Sequence, residues 1–210
     1  MERPKLEKCE GASRALLVVP GITSSTDEKP LKNVIEAFGK CHVVRMDCWD
    51  GAKELDQLTL GDLHDLLDQA DNLLEDKVDF DEKILLGKSF GAQLFLSYSG
   101  SLEADQMILL APAVGTDGEN IEKWENTELS EASRVTDISI SEDSVDSLTT
   151  DTLIFHGAED EIIPMENSEK ISEMMLRCDL CIIEEADHSF SGFDEELIEE
   201  LEQKINQFKK

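Results

Sequence analysis

The chain has 210 residues, 40% of them hydrophobic, which fits one globular domain with a sizeable core. Its 48 Asp and Glu against 19 Lys and Arg give a formal net charge of -29, which argues against nucleic acid or an anionic membrane surface as a partner. The first five residues, Met-Glu-Arg-Pro-Lys, carry no apolar signal core and no run approaches membrane-spanning length, so a cytoplasmic protein is expected.

The acids are spread along the whole chain, which reads as a solvated surface of the kind that suits high salt. Five cysteines, an odd number without framework spacing, are expected to be reduced. Cys178 and Cys181 have C-x-x-C spacing but adjoin the apolar run Leu180-Cys181-Ile182-Ile183 and lack two further ligands. They read as buried strand cysteines, and neither a metal nor a cofactor is implied.

In chain order, Arg14 to Pro20 is a nearly continuous apolar run that predicts a strand buried on both faces, followed by a loop from Gly21 to Ser25. Pro30, with Leu31, Val34, Ile35 and Phe38 at helical spacing and Gly39 as a stop, predicts an amphipathic helix. Cys41 to Met46 reads as the second strand, and a polar loop runs through Asp47, Trp49 and Gly51. Thr59 with Asp62 resembles a capping box that opens a helix whose stripe is Leu60, Leu63, Leu66, Leu67, Ala70, Leu73 and Leu74.

Lys83 to Leu86 is the third predicted strand, Met107 to Ala111 the fourth, Thr152 to Phe155 the fifth and Leu180 to Ile183 the sixth. A helix is expected over Pro164 to Leu176, and a last one on Phe193, Leu197, Ile198, Leu201, Ile205 and Phe208. Residues 112–150 lack strong periodicity and read as a lid-like insertion, with a short extended piece at Val135, Ile138 and Ile140 and a helical turn within Ser141 to Leu148. Strands alternating with helices predict a three-layer α/β sandwich, a mostly parallel sheet of about six strands in one domain spanning residues 1–210. In such sheets the chemistry sits at the carboxyl ends of the strands.

Those ends carry the candidate groups. Gly87-Lys88-Ser89-Phe90-Gly91 is G-x-S-x-G between a strand and a helix-compatible segment, the pattern of a nucleophile elbow, where a strained serine is flanked by residues too crowded for side chains. Asp160 follows the fifth strand within His156-Gly157-Ala158-Glu159-Asp160-Glu161-Ile162-Ile163-Pro164, with Glu159 and Glu161 as neighbouring rivals. His188 follows the sixth in Ala186-Asp187-His188-Ser189-Phe190; His156 is its rival as a base, although a strand-end position favours a structural hydrogen bond. His42 and His64 read as bystanders, Lys88 as an exposed stem at the rim of the elbow that could otherwise aid an anionic substrate, and Trp124 as either an acyl-pocket wall or lid packing.

On the elbow, the H-G-x-x-D-x-x-x-P segment from His156 to Pro164 and the D-H-x-F stretch at Asp187 to Phe190, the chain from about Arg14 onward resembles the α/β-hydrolase superfamily, most nearly its small esterases, acyl-thioesterases and serine-aminopeptidase-like members. The resemblance implies a trimmed α/β-hydrolase fold with a short lid and a Ser-His-Asp triad of Ser89, Asp160 and His188. It also implies an oxyanion hole from the backbone N–H groups of Ile22 and Phe90. The implied activity is cleavage of a small carboxylic ester or thioester through an acyl-enzyme, with peptide or amide hydrolysis, or a binding role on the same fold, as alternatives. A monomer or weak dimer is expected. Pro20-Gly21 stands where relatives often have His-Gly, Asp47 to Leu55 lacks their glycine-rich pattern, and the residues before Arg14 are too few for the antiparallel hairpin that opens larger members.

Overall fold

A computed structural model describes residues 2–98, 102–114 and 148–208, with backbone alone at 206–208. Among the described residues seven strands form one sheet in the order β1-β3-β2-β4-β5-β6-β7. The strands are β1 (Lys5–Glu7), β2 (Arg14–Val19), β3 (His42–Arg45), β4 (Glu82–Lys88), β5 (Gln106–Leu110), β6 (Asp151–Gly157) and β7 (Cys178–Ile183). All neighbours are parallel except β1, which pairs antiparallel with β3.

The described helices are α1 (Leu31–Ala37), α2 (Gly51–Leu55), α3 (Leu60–Lys77), α4 (Phe90–Ser97), α5 (Met165–Met174) and α6 (Asp194–Phe208). The continuous apolar runs put side chains on both faces, as a parallel sheet covered twice requires. On β2, Ala15, Leu17 and Val19 point into the core under α2 to α5, while Leu16 and Val18 join the core under α1 and α6. This is the three-layer α/β sandwich that the alternation of elements predicts.

Several elements differ from expectation in detail. The sheet gains β1, whose alternating Lys5 and Glu7 are exposed while Leu6 packs on the core; one edge strand fits in the lead-in where a hairpin does not. The segment after β3, expected to be a polar loop, contains α2, which buries Ala52 and Leu55 on one side. Trp49 in that segment is buried rather than solvated. The Thr59–Asp62 capping box at α3 is present: Asp62 N–H donates to Thr59 Oγ1 at 3.1 Å and Thr59 N–H to Asp62 Oδ2 at 2.8 Å. Of the predicted α3 stripe, Leu63, Leu66, Leu67, Ala70 and Leu74 are buried, and Leu60 is exposed.

Most of the expected lid at 112–150 lies outside the described residues, and with it Trp124, the extended piece at Val135 to Ile140 and nearly all of the turn ending at Leu148. Cys178 and Cys181 lie on β7 as expected but are half-buried rather than buried, because β7 is the edge strand: Cys178 packs against the α2–α5 core and Cys181 against the α1/α6 core, so the two thiols point to opposite faces. Burial pushes them up to about 12 and about 11 respectively, which keeps them protonated and inert.

The strand order places β2 between β3 and β4, so the connection after β2 runs to β3 on one side and the connection after β4 runs to β5 on the other. Crevices in open α/β sheets form at such a switch point, outside the carboxyl ends of the strands. Val19, the last residue of β2, is in register with Gly87 near the end of β4. The Gly21–Ser25 loop and Ser89 therefore emerge side by side.

Candidate active site

Ser89 sits between β4 and α4 with φ 52° and ψ -115°, a conformation that costs a non-glycine residue on the order of 1–3 kcal/mol. Its own backbone is pinned from three sides. Ser89 N–H donates to Leu110 O at 2.8 Å, and Ser89 O accepts from Gln93 N–H at 3.1 Å and from Ala113 N–H at 3.1 Å.

The flanking glycines let the chain close around this turn. A Cβ on Gly87 would lie 2.7 Å from Ala92 N, and one on Gly91 would lie 2.2 Å from Val19 O. Gly87 thus admits the first turn of α4 over β4, and Gly91 admits α4 against the end of β2. The second contact sets the distance between the elbow and the Gly21–Ser25 loop, because Val19 leads directly into that loop.

The loop is fixed by polar ties. Gly21 N–H donates to Ser24 Oγ at 3.1 Å, Thr26 N–H to Asp47 Oδ1 at 2.7 Å, and Arg45 donates to Thr26 O at 3.0 Å. Among the described residues neither Ile22 N–H nor Phe90 N–H has an acceptor in the protein; the latter belongs to the first turn of α4, where helix geometry leaves donors open. Phe90 is fully buried with its ring edge-on to Trp49, centroids 5.7 Å apart. Trp49 therefore buttresses the elbow, a role visible in the sequence only as a large aromatic within a polar stretch.

The acid and the imidazole come from the neighbouring strands β6 and β7. A Cβ on Gly157 would lie 2.2 Å from Ala186 O, so only glycine lets the loops after these strands touch. Ala158 N–H donates to Ile183 O at 3.0 Å and Glu159 N–H to Ala186 O at 2.9 Å. Across this junction His188 Nδ1–H donates to Asp160 Oδ2 at 2.6 Å. Asp160 Oδ1 accepts from Ile162 N–H and Ile163 N–H, both at 2.8 Å. Asp187 Oδ1 accepts from Ser189 N–H and Ser191 N–H, both at 2.9 Å, and shapes the turn that presents His188.

Burial opposes the Asp160 charge, but His156, His188 and the Ile163 N–H outweigh it and hold the carboxyl well below the usual range. Burial also lowers His188; Asp160 pulls it back up and the Lys88 charge pushes it further down. The imidazole is thus kept below its ordinary value of about 6.5 and is neutral near pH 7.

Ser89, His188, Ile22 and Lys88 line one cavity of about 220 Å³, together with the apolar Ala113, Ile162 and Ile163. None of the other histidines lines this cavity, although His156 Nε2 lies 3.2 Å from Asp160 Oδ2 behind it. His156 is 0% exposed, His42 Nδ1 accepts from Cys9 N–H at 3.2 Å, and His64 packs edge-on to Tyr98.

Lys88 departs from expectation. It is not an exposed stem: it is 5% exposed, because by the alternation of β4 its side chain leaves on the face of Ile84 and Leu86, the one covered by α1 and α6. Burial lowers it, against the opposing charges of Asp160, Asp187 and Glu28.

The fold has many relatives among known structures. Est1E from Butyrivibrio proteoclasticus with ferulic acid bound is 22% identical with a TM-score of 0.76, covering 98% of this chain and 94% of that one. The Pyrococcus furiosus esterase Pf2001 is 17% identical with a TM-score of 0.71, covering 98% and 90%. The alpha/beta hydrolase domain-containing protein 10 from mouse is 19% identical with a TM-score of 0.66, covering 97% and 93%. At such identities the likeness establishes the α/β-hydrolase fold. No curated protein matches the chain. Residues 57–209, well over half of the sequence, match the uncharacterised protein family UPF0227, and the chain belongs to that family.

Proposed function

We propose that the protein is a single-domain serine hydrolase that cleaves a small carboxylic ester or thioester through an acyl-enzyme. The observation that carries this reading is that His188, paired at 2.6 Å with the buried Asp160, lines the same cavity as a serine in a strained strand-to-helix turn.

With Nδ1–H donated to Asp160, the neutral imidazole of His188 has its lone pair on Nε2, ready to accept a proton from Ser89. Ser89 Oγ then bonds to the acyl carbon as its proton passes to Nε2, and the carbonyl oxygen becomes an oxyanion. The open N–H groups of Ile22 and Phe90 are the donors for that charge. Collapse breaks the bond to the alcohol or thiol, which leaves with the proton from His188, and a water molecule repeats the sequence to release the acid. Every step uses side chains and backbone of this chain, with no cofactor called on. A soluble cytoplasmic enzyme fits this reading, and no helix among the described residues is long and apolar enough to cross a membrane.

The test is turnover of a short-chain p-nitrophenyl ester series and matching thioesters by the wild-type protein and Ser89→Ala. The wild type is expected to show saturable hydrolysis, and Ser89→Ala to lose about a thousandfold or more in kcat. A folded wild type inert to the whole series, or an alanine variant of equal activity, would overturn the proposal.

A further inference from the structure

We infer that His156 is a positioning residue for the acid of this reaction, holding Asp160 and its loop in register with His188; the inference rests on the serine-hydrolase reading. His156 lies near the end of β6, opposite Ile182 of β7, and is fully buried. Its ring is engaged on both sides. Nε2 lies 3.0 Å from Ile163 O and 3.2 Å from Asp160 Oδ2, while Nδ1 lies 2.6 Å from Ser168 Oγ on α5.

A carbonyl and a carboxylate only accept, so Nε2 between them carries the hydrogen, and in the neutral ring Nδ1 accepts from the Ser168 hydroxyl. A nitrogen so committed has no lone pair to offer a substrate, which removes His156 as a rival base. Its position gives it another role. Ile163 is gripped twice, its N–H by Asp160 Oδ1 at 2.8 Å and its carbonyl by His156, which closes the acid loop into a ring. Ile163 is only 1% exposed, so its carbonyl has no solvent to turn to if the imidazole is lost.

Oδ2, the oxygen that receives His188 Nδ1–H, is also the one beside His156 Nε2. The order Ser168, His156, Asp160, His188 therefore runs from a buried helix position to the cavity wall, each group limiting the rotation of the next. An apolar residue of similar size at 156 would fill the space yet leave the Ile163 carbonyl unpaired and take one of the two imidazoles from Asp160 Oδ2, loosening a carboxylate then held by the Ile162 and Ile163 N–H groups and His188. The charged or titratable groups facing His188 are Asp160, Lys88, Asp187 and His156. Of these, only Asp160 both contacts the imidazole and raises its proton affinity.

The test compares kcat, KM and the pH profile of ester hydrolysis for wild type, His156→Leu and His156→Gln. Leucine is expected to lower kcat about a hundredfold with KM within about threefold, the scale of a misplaced catalytic group. Its acidic limb should move to lower pH, because a loosened Asp160 raises His188 less, an effect larger than the loss of the opposing and weaker influence of His156. Glutamine, whose amide can donate to Ile163 O, is expected to regain about tenfold of the loss and return the limb toward wild type.

A leucine variant within about threefold of wild type with an unmoved limb would overturn the inference. So would equal losses in both variants with an unmoved limb, the mark of a purely structural role that reduces the number of active molecules. If the leucine variant does not fold, Ser168→Ala decides: a several-fold lower kcat with the limb shifted down supports the role, and an unchanged profile refutes it. Wild-type inactivity toward every ester would instead overturn the hydrolase reading and this one with it.

Discussion

The end of β4 and the ends of β6 and β7 hold their candidate residues by different physical means. At the elbow the holding is done by backbone against backbone: Gly87 and Gly91 admit contacts that any Cβ would break, and Ser89 is kept at positive φ by main-chain hydrogen bonds. At the acid–histidine junction Gly157 plays a similar part, but the geometry of the candidate pair is set by side chains, through Asp160, His156, Ser168 and His188. Defects in the first region should therefore register in stability. Defects in the second should register in rate and pH profile while the fold persists.

The largest effect expected on the side-chain region is from Asp160→Asn. The amide keeps the size and one acceptor oxygen but presents a donor where His188 Nδ1–H now donates, so the imidazole is driven into the wrong tautomer. A kcat loss on the order of ten-thousandfold is expected with a cooperative melting transition retained. A loss under about tenfold would show that Asp160 does not orient the base.

Gly91→Ala is the counterpart on the backbone side. Its methyl would sit 2.2 Å from Val19 O, a main-chain atom held in β2, so relief requires α4 to move as a unit. A destabilisation of about 1–3 kcal/mol or more is expected in denaturant unfolding, with lost activity following from the shifted elbow. Wild-type stability in this variant would mean that the close approach is not rigid.

Lys88→Met should sharpen the contrast through the sign of its effect. The Lys88 charge lowers the proton affinity of His188, so removing it raises that affinity, and the acidic limb of kcat/KM should move to higher pH. This is opposite to the shift expected from loosening Asp160. A limb that stays in place or moves down would contradict the burial of the ammonium beside the imidazole.

The smallest effect concerns neither region in particular. With 48 acids against 19 bases, the fold should gain thermal stability as the screening length falls from about 30 Å in 0.01 M salt to about 3 Å in 1 M. A melting temperature that stays flat from dilute buffer to molar potassium chloride would assign the acidity to solubility alone.

Much of this arrangement was legible in the sequence because it rests on local patterns. Continuous apolar runs such as Arg14 to Val19 mark strands buried on both faces, Thr59 with Asp62 marks a helix start, and G-x-S-x-G marks a turn where only glycine fits. What escaped depends on partners far along the chain. Three residues of β1 carry no apolar run and become a strand only by pairing with β3. Lys88 looked like an exposed stem because lysine is rarely buried, and its burial comes from packing on the α1/α6 face. His156 could be weighed as a rival base but not placed, since its partners Ser168 and Ile163 meet it only once α5 docks beside β6. Trp49 showed no sign of its contact with Phe90, which lies on another element.

The most direct test of the central claim is covalent labelling of the intact protein with a fluorophosphonate, followed by mapping of the adduct. Stoichiometric phosphonylation is expected at Ser89 alone, prevented in Ser89→Ala and slowed in His188→Ala, as a serine activated by that imidazole requires. Labelling at another residue, or a native protein that takes up no label, would contradict it.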